Sequence, residues 1–161
     1  MDEAKTIMAI DTLPLNDEAA TGKLARALAR VLVAGDAVAL SGPLGSGKTC
    51  LVRAVVRALG RPDEEVPSPT FTLVQTYDLP AFTLWHFDLY RLESPGEADE
   101  LGFEDALADG VSMIEWPERL GPVLPPGWLR IALDFGADRG ARRATLSGPE
   151  SWAERLRNIA A

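Results

Sequence analysis

The sequence predicts an α/β domain in three layers around a central mixed sheet, and three observations support this prediction. A short apolar run, residues 37–40, leads into a glycine-rich stretch and then into apolar residues at helical spacing, which is typical of a buried strand followed by a helix. Two β-type stretches, residues 67–77 and 82–87, flank a turn at Asp78-Leu79-Pro80 and predict an antiparallel hairpin. Residues 129–133 and 142–146 predict two further strands. We expect residues 1–161 to form a single domain.

The glycine-rich stretch, Gly42 to Thr49, matches G-x-x-x-x-G-K-[ST] at every position, the phosphate-binding loop of P-loop NTPases. Gly42, Gly45 and Gly47 allow the backbone to curl until several N–H groups point at one anion. The helix that follows adds its positive N-terminal end. A glycine-rich turn that only resembles the motif is the alternative, but the strand before it and the helix after it favour a phosphate loop.

The side chains of the loop have separate predicted roles at a bound magnesium nucleotide. Ser46 lies among the glycines that line the phosphates, Lys48 supplies a positive charge for the terminal phosphates, and Thr49 supplies a hydroxyl for Mg²⁺. Cys50, the single cysteine, is placed with the nucleotide-binding residues but is predicted to be a small packed side chain rather than a catalytic one. One cysteine allows no internal disulfide, which favours a cytoplasmic protein.

Capping residues predict the remaining helices. Asn16 is a candidate N-cap, with Asp17 and Glu18 in the first turn of a helix that continues to Gly35. The helix after the loop is predicted to end at Gly60. Ser94 to Glu97 has the spacing of a capping box, residues 103–107 predict a second short helix, and residues 147–150 open a final helix with Trp152, Leu156 and Ile159 on one face.

Two predicted apolar strands end in an acidic residue, Asp88 and Glu115. A magnesium nucleotide needs a carboxylate at the end of a strand next to the phosphate loop. Glu115 follows the more uniformly apolar run and is the better candidate for the metal ligand. Solvated acids at the ends of strands are the alternative. His86 is expected to be packed or hydrogen-bonded within its strand rather than catalytic.

The charge of the chain is unevenly distributed. The formal net charge is −8, and residues 62–118 contain one basic side chain, Arg91, and 14 acidic ones. Such a segment repels phosphate backbones, so any contact with nucleic acid is expected to be indirect; solvated acidic faces are the alternative explanation. Arg91 either neutralises its acidic neighbours or serves a phosphate or a switch. No apolar run approaches the length of a membrane span.

Three segments after the loop occur together in one known family. Ser68-Pro69-Thr70-Phe71, His86-Phe87-Asp88-Leu89-Tyr90-Arg91 and Ile114-Glu115-Trp116-Pro117 follow in this order. With the phosphate loop, they resemble the bacterial TsaE family, the ATPase component of tRNA threonylcarbamoyladenosine synthesis. The resemblance covers roughly residues 13 to 147.

This resemblance implies a P-loop fold that hydrolyses ATP with Mg²⁺ in dependence on TsaD- and TsaB-type partners, and that meets tRNA only through that assembly. Catalysis would involve Lys48, with Thr49 and Glu115 holding Mg²⁺ and Asp88 acting beside the γ-phosphate. Further residues carried over from the family form a switch-like or partner-facing set: Ser68, Pro69, Thr70, Phe71, Tyr90, Arg91 and Trp116.

The adenine contacts implied by the resemblance are less specific. They fall on Glu18 and Arg142, and Arg143 is an equally basic candidate for the second position. Two other functions remain open: a nucleotide-dependent docking module whose hydrolysis is incidental, and a small-molecule kinase. No motif for an acceptor substrate favours the kinase.

Overall fold

A computed structural model of the chain describes residues 7–60, 62–67 and 72–157. The strands are β1 Met8–Leu15, β2 Ala37–Ser41, β3 Val74–Asp78, β4 Thr83–Asp88, β5 Val111–Glu115, β6 Leu129–Phe135 and β7 Arg142–Gly148. The helices are α1 Glu18–Val31, α2 Lys48–Leu59, α3 Glu97–Glu100, α4 Phe103–Asp109 and α5 Glu150–Arg155, with a 3₁₀ helix at Pro117–Leu120. The strands form one sheet in the order β1-β7-β6-β2-β5-β4-β3.

Strand β2 lies in the centre of the sheet and runs parallel to both of its neighbours, β5 and β6. Residues 37–40 are all buried, as expected for an apolar strand covered on both faces. The predicted hairpin is also present, because β3 pairs antiparallel with β4 from Val74↔Phe87 to Asp78↔Thr83. Its first strand is shorter than the predicted 67–77: it starts at Val74, while Thr72 and Leu73 precede it in a turn. The predicted α/β fold with a mixed sheet is therefore confirmed.

Two apolar cores hold helices on opposite faces of the sheet. Helices α1 and α2 pack on one face through residues such as Leu28, Leu51 and Val55. On the other face, Phe103 of α4 packs against Phe87 of β4, and Trp128 packs against Phe103. The strands contribute side chains to both cores because successive side chains of a strand point to opposite faces of the sheet.

Helix boundaries differ from the predictions at several capping residues. The N-cap of α1 is Asp17, whose carboxylate accepts from the Ala20 N–H at 2.8 Å; Asn16 lies one residue too early to reach that amide. The same helix ends at Val31, since Leu32 is already extended, and not at Gly35. The helix after the loop does stop at Gly60, its C-cap.

The predicted capping box at Ser94 is wrong. Turns with i→i+3 hydrogen bonds begin at Ser94 and Pro95, so α3 starts only at Glu97. The Glu97 carboxylate accepts from the Glu93 N–H at 3.0 Å. Ser94 is thus outside the position from which its side chain could cap the helix.

The final helix α5 is attached to the rest of the domain by a buried aromatic residue and an arginine. Trp152 and Leu156 are buried, as predicted for this face, while the predicted third member, Ile159, lies outside the described residues. The Arg155 guanidinium donates to both carboxylate oxygens of Asp36, just before β2, and to the Val31 carbonyl oxygen. Among the described residues, no helix is long and apolar enough to cross a membrane.

Candidate functional site

The loop between β2 and α2 curls around the N-terminus of α2. Gly42, Gly45 and Gly47 all have positive φ, at 142°, 80° and 103°. At Gly42 the requirement for glycine is also steric, because a Cβ there would lie 2.3 Å from the Leu133 carbonyl oxygen. The Ser46 hydroxyl is buried and has no hydrogen-bond partner among the described residues. The loop therefore holds an unsatisfied polar group and oriented N–H groups where the motif predicts a phosphate.

Lys48 is held inside the loop by backbone carbonyl groups. Its side chain is buried, and its Nζ donates to the Gly42 oxygen at 2.6 Å and to the Pro43 oxygen at 3.0 Å. Burial lowers the pKa of the Lys48 ammonium from its ordinary 10.5, and the carboxylates of Glu115, Glu118 and Asp88 oppose that shift. An anion bound in the loop would stabilise this buried charge.

Asp88 and Glu115 lie side by side because β4 and β5 are parallel neighbours in which these two residues are paired. Both are buried, with 4% and 3% of their surface exposed. The alternative of solvated acids at the strand ends is therefore wrong. The Asp88 carboxylate accepts from the Tyr90 N–H at 3.1 Å.

Glu115 is joined to the phosphate loop through Thr49. The Thr49 hydroxyl lies 2.8 Å from Glu115 Oε2 and 3.1 Å from Oε1. His86 is fully buried, as expected for a packed residue, and its Nε2 lies 2.5 Å from the same Oε2. The spacing of the motifs did not predict this contact. The one signal in the sequence is that His86 precedes Asp88 by two residues, which places both on one face of a strand.

An aromatic pair lies next to the ammonium group of Lys48. The Trp116 ring centroid lies 4.2 Å from Lys48 Nζ, and the Tyr90 ring packs on Trp116 at 4.9 Å between centroids. Trp116 has φ 58°, a left-handed conformation that is uncommon for a residue other than glycine. Arg91 is exposed. The four residues of the predicted switch segment, Ser68 to Phe71, lie outside the described residues.

A cleft of about 640 Å³ extends from the loop towards α1 and β7. The side chains that line it include the predicted residues Glu18, Lys48, Thr49, Cys50, Asp88, Glu115, Trp116 and Arg142. Arg142 donates to the Gly45 carbonyl oxygen at 3.0 Å, whereas Arg143 pairs with Asp134 in an exposed position. Of the two arginines, only Arg142 is on the cleft. Cys50 is exposed, so the prediction of a packed cysteine is wrong; as the third residue of α2, it projects from the start of the helix.

The donors near Glu115 fit a magnesium ion that is bound together with phosphate. Within the described ranges, no group of three or more His, Cys, Asp or Glu side chains could hold a metal on its own. Mg²⁺ binds oxygen ligands, and in phosphate sites one or two protein groups suffice because phosphates and waters supply the others. Thr49 and Glu115 offer such a hydroxyl and carboxylate, 2.8 Å apart.

This combination of a central strand, glycine-rich loop, buried lysine and adjoining strand-end carboxylates defines a nucleotide-binding P-loop protein. A family model described as "Threonylcarbamoyl adenosine biosynthesis protein TsaE" matches residues 15–144. The chain belongs to the TsaE family.

Individual relatives agree with this assignment. The chain is 44% identical over 122 residues to the tRNA threonylcarbamoyladenosine biosynthesis protein TsaE of Rickettsia felis, covering 76% of this chain and 71% of the relative. It is 37% identical over 147 residues to the protein of the same name from a Nostoc species, covering 88% of each chain. The crystal structure of YdiB from Bacillus subtilis has the same fold, with a TM-score of 0.74, 23% identity and 96% of each chain covered.

Proposed function

We propose that the protein is a Mg²⁺-dependent ATPase that serves the threonylcarbamoyl modification of tRNA, weakly active alone and activated by TsaD- and TsaB-type partners in the cytoplasm. Family membership supports the pathway. The observation that carries the ATPase activity is the joining of the phosphate loop to a buried strand-end carboxylate, through Thr49 and Glu115.

In this proposal each residue has one task. Lys48 would leave the carbonyl oxygens of its own loop and neutralise the terminal phosphates. Thr49 and Glu115 would hold Mg²⁺, which would supply positive charge at the phosphate oxygens. Asp88 is buried beside Glu115 and orients the attacking water through its carboxylate. Arg142 and Glu18 contribute to the nucleoside end of the cleft.

Trp116 lines the cleft, and Tyr90 packs on its ring. Together with Arg91 and Ser68 to Phe71, they would report the nucleotide state of the site to the partners. The alternative function, a docking module with incidental hydrolysis, would use the same nucleotide-binding residues as the ATPase. It differs from the ATPase because its partners would respond to bound nucleotide whether or not the nucleotide is cleaved. Nothing in the described structure favours the kinase.

The decisive experiment measures phosphate release from ATP by the purified protein, alone and with the TsaD–TsaB pair. We expect slow release alone and a marked increase with the pair. Lys48→Ala should lose most of the activity, because one missing charged contact in a phosphate cradle costs about 2–4 kcal/mol in the transition state. Unchanged hydrolysis in this variant would contradict the ATPase site, and modification of tRNA without any ATP cleavage would favour the docking module.

A further inference from the structure

His86 is a fully buried polar residue for which the proposed mechanism has so far no use. It is the single histidine of the sequence and lies on β4. Because Asp88 pairs with Glu115 across β4 and β5, His86 is diagonal to Glu115 on the same face of the sheet, within reach of a long side chain. The contact of 2.5 Å between Nε2 and Glu115 Oε2 follows from this register.

The surroundings of the imidazole indicate where its proton lies. Nδ1 is buried and has no partner among the described residues, so a proton there would be a buried donor left unsatisfied. Nε2 faces a carboxylate oxygen, an acceptor. The geometry therefore favours a proton on Nε2, donated to Glu115.

Two donors therefore converge on one carboxylate oxygen, His86 from the sheet and Thr49 from α2. Thr49 also contacts Oε1, at 3.1 Å, whereas the imidazole contacts Oε2 alone. Such a pair holds the glutamate side chain, which has three rotatable bonds, in one orientation. The imidazole makes no contact with Oε1.

We propose that His86 is a positioning residue for Glu115: its Nε2–H fixes the carboxylate in the orientation that a metal ligand beside Thr49 requires. This rests on the proposed function, since that function assigns Mg²⁺ to Thr49 and Glu115. Hydrogen-bond partners of metal ligands contribute substantially to metal sites, and their loss costs roughly 10–100-fold in metal affinity or activity.

Packing alone explains His86 less well. Its neighbours along the same face, Leu84 and Met113, belong to the apolar core under α1 and α2. An aliphatic side chain would fill such a position without leaving a ring nitrogen unpaired. Departures from the rule that buried polar atoms have hydrogen-bond partners are found mainly at functional sites.

The first test is spectroscopic and needs no nucleotide. Since the chain has one histidine, long-range ¹H–¹⁵N correlation spectra of the ¹⁵N-labelled protein report a single imidazole. We expect a proton on Nε2, the nitrogen that faces Glu115. A proton on Nδ1 instead would overturn the proposal, because the ring could then not donate to Glu115.

The second test is a Mg²⁺ titration of nucleotide binding, followed with a fluorescent ADP analogue, in wild type, His86→Leu and His86→Gln. We expect His86→Leu to need roughly 10–100-fold more Mg²⁺ for half of its effect on affinity, with the affinity in EDTA changed by about twofold or less. In His86→Gln, the amide can donate to the same oxygen and should restore most of the Mg²⁺ response. Met113→Leu, a volume-conserving change beside His86 in the sheet, controls for altered packing.

The possible results distinguish a failure of the proposed function from a failure of the positioning role of His86. If wild type binds no nucleotide with or without Mg²⁺, the proposed function itself fails. If wild type responds to Mg²⁺ and His86→Leu responds like Met113→Leu, the positioning role alone is overturned. Should His86→Leu not fold, as judged by circular dichroism, the tautomer of wild type and the response of His86→Gln decide.

Discussion

Lys48 shows how a single residue can be prepared for a ligand before the ligand binds. Its ammonium group is buried and rests on two carbonyl oxygens, and burial has already lowered its pKa. Carbonyl dipoles replace water only partly, whereas a phosphate group would bring a full negative charge. The loop thus keeps a cation whose stabilisation increases when an anion arrives.

A pH dependence follows from this shift. Bound phosphate favours the ammonium form, so Lys48 has a higher pKa in the complex than in the nucleotide-free protein. As far as Lys48 is concerned, the affinity for ADP measured in EDTA should be constant below the lowered pKa of the free protein and fall as pH rises through it. Lys48→Arg keeps its charge over this range, and its affinity should not show the decrease. A decrease of the same size in both proteins would assign the effect to another group.

The two buried acids are expected to fail in different ways. A metal ligand acts in the ground state and the transition state alike, whereas a group that orients water acts mainly in the latter. Glu115→Gln should raise the Mg²⁺ concentration needed for tight nucleotide binding. Asp88→Asn should leave binding nearly unchanged and reduce kcat by roughly 10²–10⁴.

Single-turnover hydrolysis and equilibrium binding, measured on both variants, check this prediction, with thermal melts as the control for folding. The reverse pattern would exchange the two roles. Equal effects on binding and kcat in both variants would mean that the acids act as one unit.

For single residues, the sequence predicted which side chains line the cleft better than it predicted their exposure and contacts. The loop motif located Lys48 and Thr49 because each has a fixed offset from the glycines. The exposure of Cys50 was not predicted, since it depends on which side of α2 meets the sheet. Arg142 and Arg143 could not be distinguished by composition, and alternation along β7 separates them: one lies on the cleft and the other pairs with Asp134.

The connection from β5 to the 3₁₀ helix links Glu115, the proposed metal ligand, to an aromatic pair. Glu115 ends the strand, and Trp116 reverses the chain through its left-handed conformation, so that its ring covers Lys48. Tyr90, at the end of the neighbouring strand, packs on the same ring and is 44% exposed. A change at Lys48 therefore reaches the surface through two aromatic contacts.

We expect the fluorescence of Trp116 to respond to nucleotide, because Lys48 must turn from the loop carbonyls towards the phosphates and so leave its position at the ring. Titration of the protein with ADP or ATP measures the response. Trp85, Trp128 and Trp152 also contribute to the signal, and Trp116→Phe removes the reporter while keeping an aromatic ring. A response of undiminished size in that variant would place the reporter elsewhere.

Elements were predictable where one local pattern sufficed, as in β2, the β3–β4 hairpin and α2. Their boundaries depended on contacts that no local pattern contains. The apolar residues Met8 to Ile10 mark only the start of β1, which continues to Leu15 because β7 pairs with it up to that residue. The contact between His86 and Glu115 likewise requires the register of β4 against β5.

The acidic segment, residues 62–118, dominates the charge of the whole molecule. Its helices α3 and α4 expose Asp99, Glu100, Glu104, Asp105 and Asp109. Such a face favours encounter with a basic protein surface and disfavours tRNA, in a manner that depends on ionic strength. The expected route to tRNA is therefore contact with partner proteins.

Charge reversal tests this expectation. Glu100→Lys with Glu104→Lys should slow association with the TsaD–TsaB pair at low salt, and the difference from wild type should shrink at high salt. Glu97 is left unchanged because its carboxylate holds the Glu93 amide. Glu150→Lys with Glu154→Lys, two exposed residues of α5, makes the same change in net charge elsewhere. If the two double variants have equal effects, the net charge of the protein and not the acidic face determines the association rate. If the isolated protein binds tRNA tightly, the expectation of indirect contact with tRNA is wrong.

The contacts that complete the phosphate loop come from residues made late in translation. The Leu133 carbonyl closes over Gly42, and Arg142 reaches Gly45 from 97 positions further along the chain. Among the described strands, β1 precedes the motif in the chain, whereas its neighbour β7 follows all the others. A nascent chain that already carries the whole motif therefore lacks the walls of its own binding site. We therefore expect nucleotide binding to require β6 and β7, and to contribute little to the folding of the segment that ends with α2.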